Sequence, residues 1–379
     1  MEATESGPER LLAQGVDALR ALLGAEWEIK LRPANDSGRQ TDPLVEVHAP
    51  GGTYAQLLLE VRQQITPRDV ERMLLPKLDL LQQVGSHTHL LAVAPWISPR
   101  TQQTLRDYGI GYLDLTGNAS LRISRPAIII RARGETRTPR SSVAPRRSKP
   151  RLAGPRVGRL VRLLADVAPP YRANELAKHA RLSPPYVSRV LDSLEDQLLI
   201  RREGRTITSV DWPNLLRARA EQLNLLHHNP YVGMLAPNGT AQTWTALRDL
   251  QQRVEGLRVV LTGSCAARAV APLASGGQIM LYVPPGPHTP DATADALDLL
   301  RTEEGADVLL LRAHDEVVFE RTRVIDGIRQ VALSQLAIDC LSGPGRMPAE
   351  GEAVLTYMTE HEAAWRTYSF PPPRDDLLL

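Results

Sequence analysis

Cysteine is nearly absent from this chain of 379 residues: only Cys265 and Cys340 occur, in different segments. With no CxxC pair, a zinc site built on thiolates is excluded. A disulfide scaffold is equally unexpected, and a reducing cytoplasm fits the chain best. Long apolar runs are also missing. None reaches the ~18–20 residues that a membrane-crossing helix needs, so no membrane partner is expected. The opening MEATESGPER is acidic and polar and does not read as a secretory signal. No GxxxxGK[ST] occurs, which removes the phosphate cradle of an ATPase. No internal repeat shows at a period of ~20–50 residues. The histidines are scattered, with His227 and His228 expected on a loop or helix surface. Ser264 has no convincing His/Asp set nearby, so no hydrolase is read.

What remains is a globular composition. Hydrophobic residues make up 42% and charged residues 23%, enough for each domain to bury a core. The length predicts two or three domains. Net charge is only +2, but residues 1–135 carry −1, residues 136–219 carry +11 and residues 220–379 carry −8. A short basic segment between neutral and acidic ones is the footprint of a polyanion binder. Its alternative is a solvated basic linker.

The plainest boundary is GETRTPRSSVAPRRSKPRLAGP, residues 134–155. It is rich in Pro, Ser and Arg, lacks apolar periodicity and reads as a linker. Its Arg146, Arg147, Lys149 and Arg151 are candidate contacts to a DNA backbone, a role that needs no fixed structure. Before it, residues 1–133 alternate helix and strand, which predicts an α/β sandwich. Helices are read over Arg10–Leu23, Thr66–Gln83 and Ser98–Tyr108. Strands are read over Leu44–Val47, Ala55–Val61, His89–Ala94, Ile110–Asp114, Ala119–Ile123 and Ala127–Arg131. Asp114 and Asn118 read as turn formers.

After it, residues 156–213 read as three helices and a hairpin. Val157, Leu160, Val161 and Leu164 recur at helical spacing in the first helix, Arg156–Ala168. Arg172–Ala180 is the second. Ser183 and Pro184 are suited to cap and open the third, which runs to Gln197 with Val187, Val190, Leu191 and Leu194 as its core stripe. That leaves Tyr186, Ser188, Arg189, Asp192 and Ser193 on the opposite face. The hairpin at 200–210 has a basic, glycine-containing tip, Arg201, Arg202, Glu203, Gly204 and Arg205. The phrase ANELAKHARLSPPYVSRVLDSLEDQLLIRREGR resembles the winged-helix repressor families. The resemblance implies that the third helix enters the major groove of double-stranded DNA, with the wing on the backbone. Arg189 suits a bidentate contact to guanine, and Ser183, Tyr186 and Ser188 suit phosphate or base contacts. The alternative is a winged helix used for protein contacts.

Three further resemblances involve the flanks. Asp42, opening DPLVEV, and Glu60–Arg62, closing LLLEVR, resemble the PD-(D/E)XK restriction-endonuclease-like fold. In active members an Asp and a Glu on adjacent strands hold Mg²⁺, and a Lys two residues after the Glu helps activate water. Here that position is Arg62, which keeps its charge but is essentially never deprotonated, so the domain is read as a degenerate nuclease kept for binding. In residues 214–379, an α/β unit, strand–Thr262-Gly263-Ser264–helix–strand resembles the nucleotidyltransferase fold. The strand that should bring two metal-holding carboxylates, Gln278–Val283, has none. Strands are also read at Leu257–Leu261, Val308–Leu311 and Val317–Glu320, and helices at Cys265–Val270, Ser334–Leu341 and Ala349–Arg366. Winged helix and C-terminal pattern together resemble regulators related to AbiEi-type antitoxins, in which the winged helix represses its own operon and the remainder blocks a toxin; the domain order here differs. The closing PPPRDDLLL is expected to be a disordered tail.

The expectation is a cytoplasmic, non-enzymatic transcription regulator of bacterial type that binds double-stranded DNA. It is expected as a homodimer, since one recognition helix covers few base pairs. The alternatives are a metal-dependent DNA nuclease using Asp42, Glu60 and Arg62, with Mg²⁺ as cofactor only on that reading, and an antitoxin-like module whose partner is a protein.

Overall fold

A computed structural model describes residues 7–32, 43–83, 88–136, 151–253, 258–273, 276–286 and 289–370. The chain is mixed α/β, with two large sheets and one small one. It divides into two compact units, residues 1–150 with 192–198, and residues 151–191 with 199–379.

The first unit is built on a seven-stranded sheet whose strands lie in chain order. They are β1 (Glu28–Arg32), β2 (Leu44–His48), β3 (Tyr54–Val61), β4 (Thr88–Ala94), β5 (Gly111–Asp114), β6 (Ala119–Ile123) and β7 (Ile128–Ala132). Neighbours are antiparallel except β3/β4 and β4/β5. Parallel neighbours need a crossover, and the helices are found there. Between β3 and β4 lie α2 (Pro67–Asp69), a π-helical turn (Val70–Leu74) and α3 (Leu75–Gln83). Between β4 and β5 lies α4 (Pro99–Asp107), while α1 (Gly7–Leu23) precedes the sheet. Strand alternation sorts two cores. Val45, Val47, Leu57, Leu59, Leu91, Val93 and Leu121 pack with Val16 and Leu19 of α1. Leu90, Ala92 and Tyr112 pack on the other face with Val70, Leu74 and Leu105. The predicted helix at 66–83 exists but is broken by the π turn. Strand β1 is an addition: EIKLR alternates charged and apolar residues, but over only five positions, and of its two apolar side chains Ile29 is half-buried and Leu31 is exposed.

The second unit opens with α5 (Pro155–Asp166), β8 (Tyr171–Arg172), α6 (Ala173–Ala180) and α7 (Pro184–Asp196) as far as Leu191, the residues from Asp192 to Leu198 being counted with the first unit. The hairpin β9 (Ile200–Glu203) and β10 (Thr206–Val210) follows, in a three-stranded sheet of order β8–β10–β9. Then come α8 (Trp212–Ala220), α9 (Leu225–His228), β11 (Tyr231–Leu235), α10 (Thr240–Arg253), β12 (Val260–Thr262), α11 (Gly263–Ala267), β13 (Ile279–Val283), α12 (Thr289–Ala296), β14 (Leu300–Arg301) and β15 (Val308–Arg312). The unit ends with β16 (Arg323–Ile325), β17 (Ile328–Gln330), α13 (Leu333–Leu341), α14 (Met347–Glu360) and α15 (Glu362–Trp365). Its large sheet has the order β14–β11–β15–β13–β12–β17–β16.

Two expectations are corrected here. Val317–Glu320 is not a strand: Glu316–Phe319 is a 3₁₀ turn started by Asp315, whose carboxylate accepts the Val317 N–H. Val317, Val318 and Phe319 are all buried, so their unbroken apolar run reflects enclosure in a turn rather than a two-sided strand. The helix expected over 349–366 is two helices, because His361 leaves helical geometry at φ −122°.

The Pro/Ser/Arg segment at 134–155 is packed at both ends. Gly134 donates to the Asn118 side chain, and the Glu135 carbonyl accepts from Trp96 and Asn118. Leu152 is fully buried, with its N–H on Gln222 and its carbonyl accepting from Arg219. Residues 137–150 lie outside the described chain, as do 371–379.

Candidate nucleic-acid interface

The turn between α6 and α7 is set by the backbone. Arg181 takes the left-handed conformation at φ 54°, the Leu182 N–H reaches the Ala177 carbonyl and the Arg181 N–H that of Lys178. This pair of bonds is the Schellman closure, which ends one helix sharply and frees the chain to begin the next. Ser183 then accepts from the Tyr186 and Val187 N–H groups through its carbonyl, and Pro184 starts α7 where a missing N–H costs nothing. Val187, Leu191 and Leu194 are buried, as the apolar stripe requires. Ser183, Ser188, Arg189 and Asp192 are exposed, and Tyr186 and Ser193 are half-buried. Among the described residues Arg189 has no ion-pair partner.

Helix α7 runs into the β9–β10 hairpin, closed by Gly204 at φ +61°. The register pairs Ile200 with Val210 and Ile207 with Arg202, while Arg201 faces Ser209. Paired residues share a face, so the arginines divide. Arg202 lies on the side of buried Ile207 and is half-buried, whereas Arg201 and Arg205 are exposed. Arg151 is exposed beside buried Leu152; Arg146, Arg147 and Lys149 lie outside the described residues.

The nuclease-like residues are brought into a different setting. Asp42 lies outside the described residues. Glu60 stands in β3 and Arg62 directly after its last residue, and the Arg62 Nε is 2.5 Å from a Glu60 oxygen. The other oxygen accepts from Lys77 of α3, a residue no sequence pattern singled out. Glu60 is 3% exposed. Burial pushes its carboxyl up, but the bonds from Lys77 and Arg62 outweigh that and hold it below the usual carboxylate range. With both oxygens held by cations, Glu60 as placed does not fit a magnesium ligand. No group of three or more His, Cys, Asp or Glu among the described residues is arranged to hold a metal ion.

Asp114 and Asn118 are buried turn formers. One Asp114 oxygen accepts from the backbone of Thr116 and Asn118, the other from Ile97 N–H and the Asn118 amide.

In the second unit the Thr262-Gly263-Ser264 turn is tied into the helices behind it. Thr262 donates to Asp339 of α13 at 2.6 Å and Ser264 to Glu350 of α14 at 2.5 Å. Tyr282 and Gln335 also donate to Asp339, and burial pushes that carboxyl up to about 6. A cavity of about 30 Å³ adjoins it, lined by Arg219, His228, Tyr282, His314, Asp315 and Asp339 among others. That is room for about two waters. Strand β13 is buried throughout and carries no carboxylate.

No family model, no curated protein and no solved structure matches the chain. No described helix is long and apolar enough to cross a membrane.

Proposed function

We propose that this protein is a sequence-specific, double-stranded DNA-binding transcription regulator that works through a winged helix at 156–213. The observation that carries the proposal is the outward face of α7. Ser188 and Arg189 stand exposed on a helix whose other side is buried, with exposed Ser183 just before it, and that helix leads into a hairpin with exposed Arg201 and Arg205. A guanidinium free to meet a base edge reads sequence, and a basic hairpin beside it holds the backbone. The excess of eleven positive charges in residues 136–219 supports a polyanion rather than a neutral partner. The reading includes a homodimer on a two-fold site, since one helix spans few base pairs.

For the nuclease-like domain we propose a binding role without cleavage. The closed Glu60–Arg62–Lys77 cluster supports it, because a carboxylate already neutralised twice has little to offer a metal.

The test is binding to genomic DNA fragments over a salt series. Arg189→Ala is expected to cost about 1–3 kcal/mol on the preferred fragment and to flatten the preference among fragments. Arg201→Ala with Arg205→Ala is expected to weaken all fragments alike and to make the salt dependence shallower. If no fragment is bound, or both variants bind like the parent protein, the proposal fails. Plasmid incubated with the protein and Mg²⁺ is expected to stay intact.

A further inference from the structure

We propose that the β6–β7 hairpin of the first unit is a second contact surface for the DNA phosphate backbone. Residues 119–133, ASLRISRPAIIIRAR, carry four arginines and no acidic residue. Arg122, Arg125, Arg131 and Arg133 are all exposed, and among the described residues none has an ion-pair partner.

The sheet register gathers them. Ala119, Leu121, Ile123 and Ile128 belong to the core on the α1 side, so alternation turns Ser120, Arg122, Ile129 and Arg131 to the opposite face. Ser120 pairs with Arg131 and Arg122 with Ile129, which sets Arg122 and Arg131 as diagonal neighbours, on the order of 7–8 Å apart. The same row continues inward through Tyr112, the partner of Ser120 on β5. There the exposed Arg106 of α4 donates to the Tyr112 hydroxyl at 2.7 Å, with its guanidinium 6.0 Å from the ring centre. Toward β4 this face is covered by helices, but at Ile129 it is 74% exposed.

Charged residues on an edge strand also guard against edge-to-edge aggregation. That accounts for Arg131 on β7, the last strand of the sheet, but not for Arg122 and Arg106, which stand inboard of the edge. The acidic groups of this region do not neutralise the row. Asp107 accepts from Gln103 and Asp114 is buried in its own turn, while exposed Glu135 follows the hairpin. An open sheet face with arginines in two strands suits a ligand with closely spaced negative charge. Duplex DNA offers one charge per about 1.7 Å of axis. The choice of DNA as that polyanion rests on the proposed function; the charge pattern does not.

The experiment uses the full chain and a duplex of random sequence, with affinity measured between 50 and 200 mM salt, a range in which phosphate contacts dominate ~10³-fold or larger affinity changes. Arg122→Ser/Arg131→Ser/Arg133→Ser is expected to lower the slope of log K against log salt by about 2–3. The corresponding triple lysine variant is expected to keep the slope, because a backbone contact needs charge rather than a fork. The single Arg122→Gln, expected to lower the slope by about 0.9, serves if the triple serine variant does not fold. A parental slope in the serine and glutamine variants overturns the proposal and leaves an acidic protein segment as the occupant. If Arg189→Ala leaves the preference among genomic fragments unchanged while the serine variant is shallower on the random duplex, the reading of α7 falls and this one stands.

Discussion

At the scale of single residues, Glu60 is the informative case. Strand periodicity alone places Glu60 and Arg62 on one face, and they do form an ion pair. What periodicity does not contain is Lys77, which reaches the same carboxylate from a helix seventeen residues away in sequence. The pair becomes a closed cluster only because the β3–β4 crossover lays α3 over the sheet. If the cluster is structural, Glu60→Gln leaves two cations facing a neutral amide. It is expected to destabilise the protein by about 1–3 kcal/mol, read as a lower urea midpoint, with DNA affinity unchanged. A stable Glu60→Gln protein would show that the carboxylate is not needed for folding and reopen its role in chemistry. Asp114 and Asn118 were legible for the opposite reason: an Asx turn is closed by side chains acting on their own nearby backbone, so four neighbouring residues hold most of the information.

At the scale of elements, α7 is written almost completely in the sequence. Its start lies at Pro184, with Ser183 serving through its backbone carbonyl rather than as a side-chain cap, its buried face in Val187, Leu191 and Leu194 with Val190 half-buried, and its solvent face in what remains. The 3₁₀ turn at Glu316–Phe319 was not legible, because a short apolar run is compatible with any enclosed conformation. Helix α5 shows a third situation. Its apolar stripe is as expected, yet almost every residue after its first turn is buried, including Arg162 at 0% exposed. The Arg162 guanidinium donates to Gln335, to the Val317 and Glu320 carbonyls and to Asp166, which is how so large a burial is sustained. Gly158 is what lets α8 approach α5. A Cβ there would lie 2.4 Å from the Arg219 guanidinium, itself held on the Leu152 carbonyl. Gly158→Ala is therefore expected to destabilise by about 1–3 kcal/mol through overpacking, despite alanine's better helix propensity. A thermal midpoint at or above the parent's would mean that Arg219 moves aside freely.

At the scale of the whole molecule, pH should reveal the buried polar web of the second unit. Asp339 has its carboxyl pushed up to about 6 by burial, above the ~3.9 of an unfolded aspartate. Between about pH 4 and 6 the folded chain keeps a proton that the unfolded chain has lost, so this group's contribution to stability falls as pH rises through that window and is level above it. Two pKa units correspond to roughly 3 kcal/mol. Asp339→Asn keeps an oxygen for Tyr282 and Gln335 and turns its amide to Thr262. Its stability relative to the parent is expected to rise between pH 4 and 7, measured as denaturant midpoints. A difference that does not vary with pH would place the titration elsewhere.

The sequence by itself determined the local and periodic features: the helix starts, the alternating strands, the hairpin closed at Gly204, the basic middle of the chain and the polar face of α7. These depend on forces between residues near one another in the chain, or on charge that adds up regardless of fold. The tertiary structure alone decided that Lys77 meets Glu60, that Arg162 is interior rather than solvated, that Asp339 collects three donors, and that Arg122 and Arg131 share an uncovered sheet face. Each joins groups brought together by packing and strand register, and an arginine or carboxylate in a sequence reads the same whether its neighbours will be water, a cation or a buried carbonyl.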